Sequence, residues 1–158
     1  MKRGASGFGS NEPLALLHFG FRAVVKEPDR ELLRRRLGRL HHRILFFIAR
    51  SPGLPVGELL DTLEVTKQAL HAPLRALVRQ KLVAVRVNPD NRRQRRLHLT
   101  PEGERLEERL SGHQRRLFAE AFQAAGPHAA SGWSAVMRVL AGPALVLQRE
   151  RMVRYPSG

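Results

Sequence analysis

The stretch that decides the fold is Leu82-Val83-Ala84-Val85-Arg86-Val87-Asn88-Pro89-Asp90-Asn91-Arg92-Arg93-Gln94-Arg95-Arg96-Leu97-His98-Leu99-Thr100-Pro101-Glu102-Gly103. Leu82, Val83, Val85 and Val87 form a β-prone run. Asn88 to Asn91 is dense turn signal, because Asn and Asp bond their own backbone and Pro fixes φ. Leu97 and Leu99 then alternate with Arg96, His98 and Thr100, the pattern of a half-exposed strand. The sum is a β-hairpin whose tip carries Arg92, Arg93, Arg95 and Arg96. Thr100 is a good helix cap, Pro101 suits the first helical position, and Glu102 complements the positive helix end. A long helix follows, with Leu106, Leu110, Leu117, Phe118, Ala121 and Phe122 as its apolar stripe.

Upstream of the hairpin, residues 57–63 read as a short helix with Leu59, Leu60 and Leu63 inward. Glu64-Val65 is a tight turn. Thr66 caps a longer helix to about Gln80, with Leu70, Leu74 and Leu77 buried. Short helix, turn and longer helix make a helix-turn-helix, and the hairpin behind it makes a winged one. Pro73 lies inside the second helix and predicts a kink, or a helix that effectively begins later. Either would re-aim Lys67, Gln68 and His71. Leu54-Pro55-Val56 reads as an extended link. Further upstream, Leu14, Leu17, Phe21, Val24 and Val25 mark a helix that Lys26-Glu27-Pro28 should end. A second short helix is expected from Pro28 to Leu37, and a third carries Leu40, Ile44, Leu45, Phe47 and Ile48. Downstream, Gly126-Pro127 breaks the long helix. A last helix, from about Ser131 to Val153, carries Trp133, Val136, Met137, Leu140, Leu145 and Val146 and should kink at Gly142-Pro143. Residues 1–10, rich in Gly and Ser, are expected to be disordered.

The chain has 158 residues, 42% of them hydrophobic, no cysteine, and a net charge of +14. Its length supports one domain with a real core. Missing cysteines exclude a disulfide scaffold, a thiol nucleophile and a thiolate metal site. No apolar run suits a transmembrane span, and Met1 to Ser10 lacks the apolar stretch of a secretory signal. The charge excess points to a polyanionic partner. Arginine outnumbers lysine 24 to 4, which a GC-rich coding genome could also produce. The placement argues otherwise: residues 30–50 carry +6 and residues 86–96 carry +4, whereas codon bias would spread arginine evenly.

Gly53-Leu54-Pro55-Val56-Gly57-Glu58-Leu59, Thr66-Lys67-Gln68-Ala69-Leu70, Lys81-Leu82-Val83, Asn88-Pro89-Asp90-Asn91-Arg92-Arg93 and Leu97-His98-Leu99-Thr100-Pro101-Glu102-Gly103 together resemble the MarR-type transcriptional regulators. The fold class is then mainly α with a small β-hairpin wing: a winged helix-turn-helix plus a helical dimerisation region. The resemblance implies a homodimer with N-terminal helices at 11–38, a DNA-binding region at 39–100 and C-terminal helices at 101–158. It implies a repressor on pseudo-palindromic double-stranded DNA, released by a small anionic or phenolic ligand, and located in the cytoplasm with the nucleoid. One departure stands out. Asn91 occupies the place before the paired wing arginines where the family usually has Asp, so an internal wing salt bridge is expected to be shifted or absent.

The recognition helix directs attention to Thr66, Lys67, Gln68 and His71. Gln68 can pair bidentately with adenine, and His71 can reach a base or a phosphate. Arg75, one turn on, is placed to meet a phosphate. Arg92 and Arg93 are candidates for the minor groove. Arg95 and Arg96 are either phosphate contacts or solvated strand charge, and Arg34 to Arg36 with Arg39 divide in the same way. By the resemblance, an effector would sit near Arg22, His41, His42 and Phe46, with His113 on the long helix. Zinc sensing by those histidines lacks a fourth ligand, so no metal and no cofactor is expected. No acid pair, phosphate loop or triad context points to an enzyme. A non-specific architectural DNA binder and a winged protein-interaction module are the competing readings.

Overall fold

The computed structural model describes residues 9–154, with side chains through residue 142. A 3-10 turn at Gly9–Asn11 leads into α1 (Glu12–Arg34), then α2 (Arg39–Arg50), β1 (Leu54–Pro55), α3 (Val56–Leu63), α4 (Lys67–Arg79), β2 (Val83–Val87), β3 (Arg95–Leu99), α5 (Pro101–Ala125) and α6 (Ala129–Arg154). The fold is mainly helical with a small antiparallel sheet of order β1-β3-β2. The disorder expected at residues 1–10 falls mostly outside the described residues, as do the side chains of Leu145 and Val146. Gly9 and Ser10, however, belong to the 3-10 turn.

α1 corrects the expected break at Pro28. It is one helix with Pro28 buried inside it. A proline in a helix interior strips the hydrogen bond from the carbonyl four residues back. That carbonyl is Val24 O, and the Gln114 side chain of α5 donates to it at 3.3 Å. The break is therefore repaired from a distant element. α4 settles one of the two alternatives at Pro73: the helix does not begin later. It starts at Lys67, where Thr66 Oγ1 accepts from the Ala69 N–H at 3.1 Å, and continues past the proline to Arg79. Leu70 and Leu77, both buried, hold it on either side of Pro73. The kink expected in the last helix is present: Gly142 has φ 50° and ψ −140° inside α6.

The predicted extended link is a third strand. Leu54 pairs with Leu97 and Pro55 with Arg96, while β2 pairs with β3 from Val83↔Leu99 to Val87↔Arg95. One core joins all of this: Leu32 and Leu37, Ile44, Leu45 and Ile48, Leu59 and Leu63, Leu70 and Leu77, Leu82, Val83 and Leu97, and Leu106 and Leu110. α4, the wing and the start of α5 are thus mutually fixed. The joint at α5 is close. Thr100 Oγ1 donates to Lys81 O at 2.6 Å, its own N–H donates to Leu82 O, and it caps α5 by accepting from Gly103 N–H at 3.1 Å.

Away from this core the helices carry apolar groups into solvent. α1 exposes Leu14, Leu16, Leu17, Phe19 and Phe21, and α6 exposes Trp133, Val136, Val139 and Leu140. Trp133 packs on Phe118 and Phe122 of α5, with ring centroids 5.2 and 5.9 Å away.

Candidate nucleic-acid interface

Lys67, Gln68, His71 and Arg75 all lie on the exposed side of α4. Lys67, His71, Arg75 and Arg79 follow one another at four-residue spacing, so they form a single row along the helix. With Leu70, Leu74 and Val78 of α4, Val56 of α3 and Val85 of β2, they line one open groove of about 450 Å³. The row crosses Pro73 without a change of face. Lys67 and His71 therefore share one groove with Arg75 across the proline. Among the described residues, Lys67, Arg75 and Arg79 make no ion pair. Arg79 was missed from the sequence, although its spacing from Arg75 could have revealed it.

The wing presents Arg92, Arg93 and Arg95 exposed, again without ion pairs among the described residues. Asp90 makes none either, so the internal salt bridge is absent. Arg86 and Arg96 stand directly opposite each other in the β2–β3 register. Like charges at such a position repel, a cost that a bound polyanion would relieve. The wing tip is tied instead by amides. Asn88, only 4% exposed, donates from Nδ2 to Gln94 Oε1, and its Oδ1 accepts from the Asp90 N–H at 3.1 Å.

The other charge cluster behaves differently. Arg39 grips Asp29 with two nitrogens, Arg35 meets Glu31 and Glu102, Arg30 meets Glu27, and Arg34 approaches Glu31 at 3.6 Å. Arg43 donates to Leu63 O, and Arg50 donates to Glu107 Oε1 at 2.6 Å while its guanidinium lies over the Phe46 ring. The basic run of 30–50 therefore mostly ties α1, α2, α3 and α5 together. Unpaired cations concentrate on α4 and the wing.

The proposed effector residues do not converge. Arg22 is exposed on α1. His41 closes the start of α2, its Nδ1 accepting from the Gly38 N–H at 2.9 Å, and burial pushes its pKa down. His42 is half-buried against α5, with Nε2 3.3 Å from Ser111 Oγ. Ser111 Oγ in turn donates to Glu107. Phe46 sits under Arg50 and packs edge-on against Phe47. His113 lines a separate charged groove of about 400 Å³ between α1 and α5. Glu107 was not anticipated from the sequence. Its signal was an acid at an inward position of an otherwise apolar stripe.

The fold and the sequence agree with known proteins. A sequence profile described as MarR family matches residues 37–94. The HTH-type transcriptional regulator PetP of Rhodobacter capsulatus is 43% identical over 129 residues, covering 82% of this chain and 78% of PetP. A MarR-family transcriptional regulator from Silicibacter pomeroyi superposes with a TM-score of 0.68 at 24% identity, over 88% of this chain and 94% of that one. The PcaV transcriptional regulator of Streptomyces coelicolor, solved in complex with its natural ligand, superposes with a TM-score of 0.60 at 16% identity, over 89% and 97%. With its winged helix-turn-helix, its exposed cationic helix and a relative of this identity across most of its length, the chain belongs to the MarR family of DNA-binding transcriptional regulators.

Proposed function

We propose that this chain acts as a homodimeric, sequence-specific repressor, released from its operator by a small organic ligand. The observation that carries the reading is the contrast in its charges. The arginines of 30–50 are mostly spent on internal carboxylates, whereas the α4 row and the wing tip face solvent unpaired. Cations left free on a helix row and a neighbouring hairpin suit a major groove read by α4 and an adjacent groove met by the wing. The exposed apolar faces of α1 and α6 support the reading of 11–38 and 101–158 as dimerisation regions. Ligand release rests on the relative PcaV, whose structure holds its natural ligand. An anionic or phenolic compound would act in the cytoplasm, where the regulator meets the nucleoid.

Binding-site selection followed by footprinting tests this directly. One pseudo-palindromic site should emerge, with half-sites about 34 Å apart. Alanine at Gln68 and His71 should relax its base preference. A specificity ratio below about 10³ over unrelated DNA would point to an architectural binder instead.

A further inference from the structure

The wing tip combines free charge with a closely tied backbone. Asn88 is buried, and each of its polar groups is used. Its N–H donates to Gln94 O at 3.1 Å, and its carbonyl accepts from the Asn91 N–H at 3.2 Å. Its side-chain oxygen accepts from the Asp90 N–H, and its side-chain nitrogen donates to Gln94 Oε1. Two further bonds close the loop. The Gln94 N–H donates to Asn91 O at 2.8 Å, and the Arg93 N–H donates to Asn91 Oδ1 at 3.2 Å. Asp90, the lone acid of this loop, takes part only through its backbone. We infer that Asn88 and Gln94 form a neutral latch that positions Arg92 and Arg93 for DNA.

The physical reason lies in what a charged latch would cost. A carboxylate closing the loop would neutralise one guanidinium and loosen as salt screens the pair. An amide pair is uncharged, so neither ionic strength nor mild pH change opens it. Both arginines stay free for phosphates while the loop that presents them is held. Burying Asn88 is tolerated only because every one of its groups is bonded; an orphaned buried amide would keep its full desolvation penalty. Asn88 and Gln94 are therefore positioning residues, acting through the arginines rather than on DNA. The inference rests on the DNA-binding reading above.

The experiment measures binding of the full chain to a mixed-sequence duplex of about 30 base pairs across a salt series, where slope reports phosphate contacts. The variants are Asn88→Ala, Asn88→Asp, R92A/R93A, and all three alanines together. Asn88→Ala should weaken binding about 10-fold and flatten the salt slope by about one or two, as losing one or two phosphate contacts would. R92A/R93A should do the same, and the triple variant should bind no more weakly than R92A/R93A. Asn88→Asp can still accept from the Asp90 N–H and from a flipped Gln94 amide, but it puts a charge into the latch, so it should bind more weakly than wild type and more tightly than Asn88→Ala; binding equal to wild type would show that the latch need not be neutral. Thermal unfolding of each variant separates wing effects from global instability. Additive losses from Asn88→Ala and R92A/R93A would overturn the latch, as would wild-type binding by a folded Asn88→Ala. If R92A/R93A binds like wild type, the latch positions nothing and is likewise overturned. If the wild-type chain itself ignores the duplex, the DNA-binding reading fails and takes the latch with it.

Discussion

Gly103 shows how one position can hold two elements in register. A Cβ at this site would run into the Leu82 carbonyl oxygen. That carbonyl already accepts from the Thr100 N–H, so the strand start and the helix start meet without room for a side chain. Gly103→Ala should therefore destabilise the fold by about 2–3 kcal/mol, the cost of forced overpacking, read as a lowered midpoint in urea. An unchanged midpoint would mean that the joint relaxes freely. Lys81 makes the opposite case. It has φ 57° at the end of α4, where Leu82 N–H bonds back to Leu77 O. A non-glycine residue in that region costs about 1–2 kcal/mol, so Lys81→Gly should raise stability by up to about 1 kcal/mol once backbone entropy is counted. The sequence marks Gly103 as part of a motif. What the glycine avoids is visible only when Leu82 is brought against it.

At the scale of the element, the two prolines separate what local reading can see from what it cannot. Caps, turn residues and apolar spacing placed α3, α4, the hairpin and α5, because each of those signals acts within a few residues. Pro28 misled because its compensation is remote: Gln114 lies 90 residues beyond Val24, whose carbonyl it bonds. Gln114→Ala should cost about 1 kcal/mol, the net value of one hydrogen bond plus an orphaned acceptor. A denaturation midpoint equal to wild type would show that water replaces the amide. Pro73 misled, as to where α4 begins, for another reason. The core contacts of Leu70 and Leu77 hold α4 helical despite the missing bond. Since α4 is already helical there, Pro73→Ala should stabilise the chain by about 2 kcal/mol, somewhat under the full proline penalty. It should leave the row of Lys67, His71, Arg75 and Arg79 in place. A loss of stability would mean that the proline ring contributes packing that outweighs its helix cost. The exposed face of α4 was legible because exposed polar positions follow directly from the apolar period. The amides of the wing tip were not, since their bonds depend on how β2 and β3 meet.

For the whole molecule, the decisive contact is the joint between α2 and α5, where the DNA-binding core meets the long helix. The effector residues expected there have different surroundings: His41 bonds Gly38, His42 meets Ser111, Phe46 lies under Arg50, Arg22 is exposed and His113 lines another groove. What the joint does contain is a titratable chain. Ser111 has one proton and gives it to Glu107, so its oxygen can only accept from His42 Nε2–H. Nε2 of His42 thus carries a hydrogen, and burial favours the ring in its neutral form. Burial pushes its pKa below the ordinary 6.5, and Arg50 adds to that push; Glu107 and Asp29 favour the charged form but do not offset the burial. The sign follows from linkage. The unfolded chain takes up this proton near 6.5, whereas the folded chain resists it, so folding stability declines as pH falls through and below 6.5. His41 and His98 are shifted in the same direction, His41 by burial and His98 by burial together with Arg86 and Arg96, and they add to the decline. Urea unfolding at about pH 7.5 and pH 5.5 brackets the imidazole range. The wild-type chain should be less stable at the lower value. His42→Gln can still donate to Ser111 but carries no titratable ring, so the pH dependence should shrink in this variant while stability at the higher pH stays close to wild type. Equal stability of the wild-type chain at both values would show that the α2–α5 joint accommodates a charged His42 as readily as a neutral one.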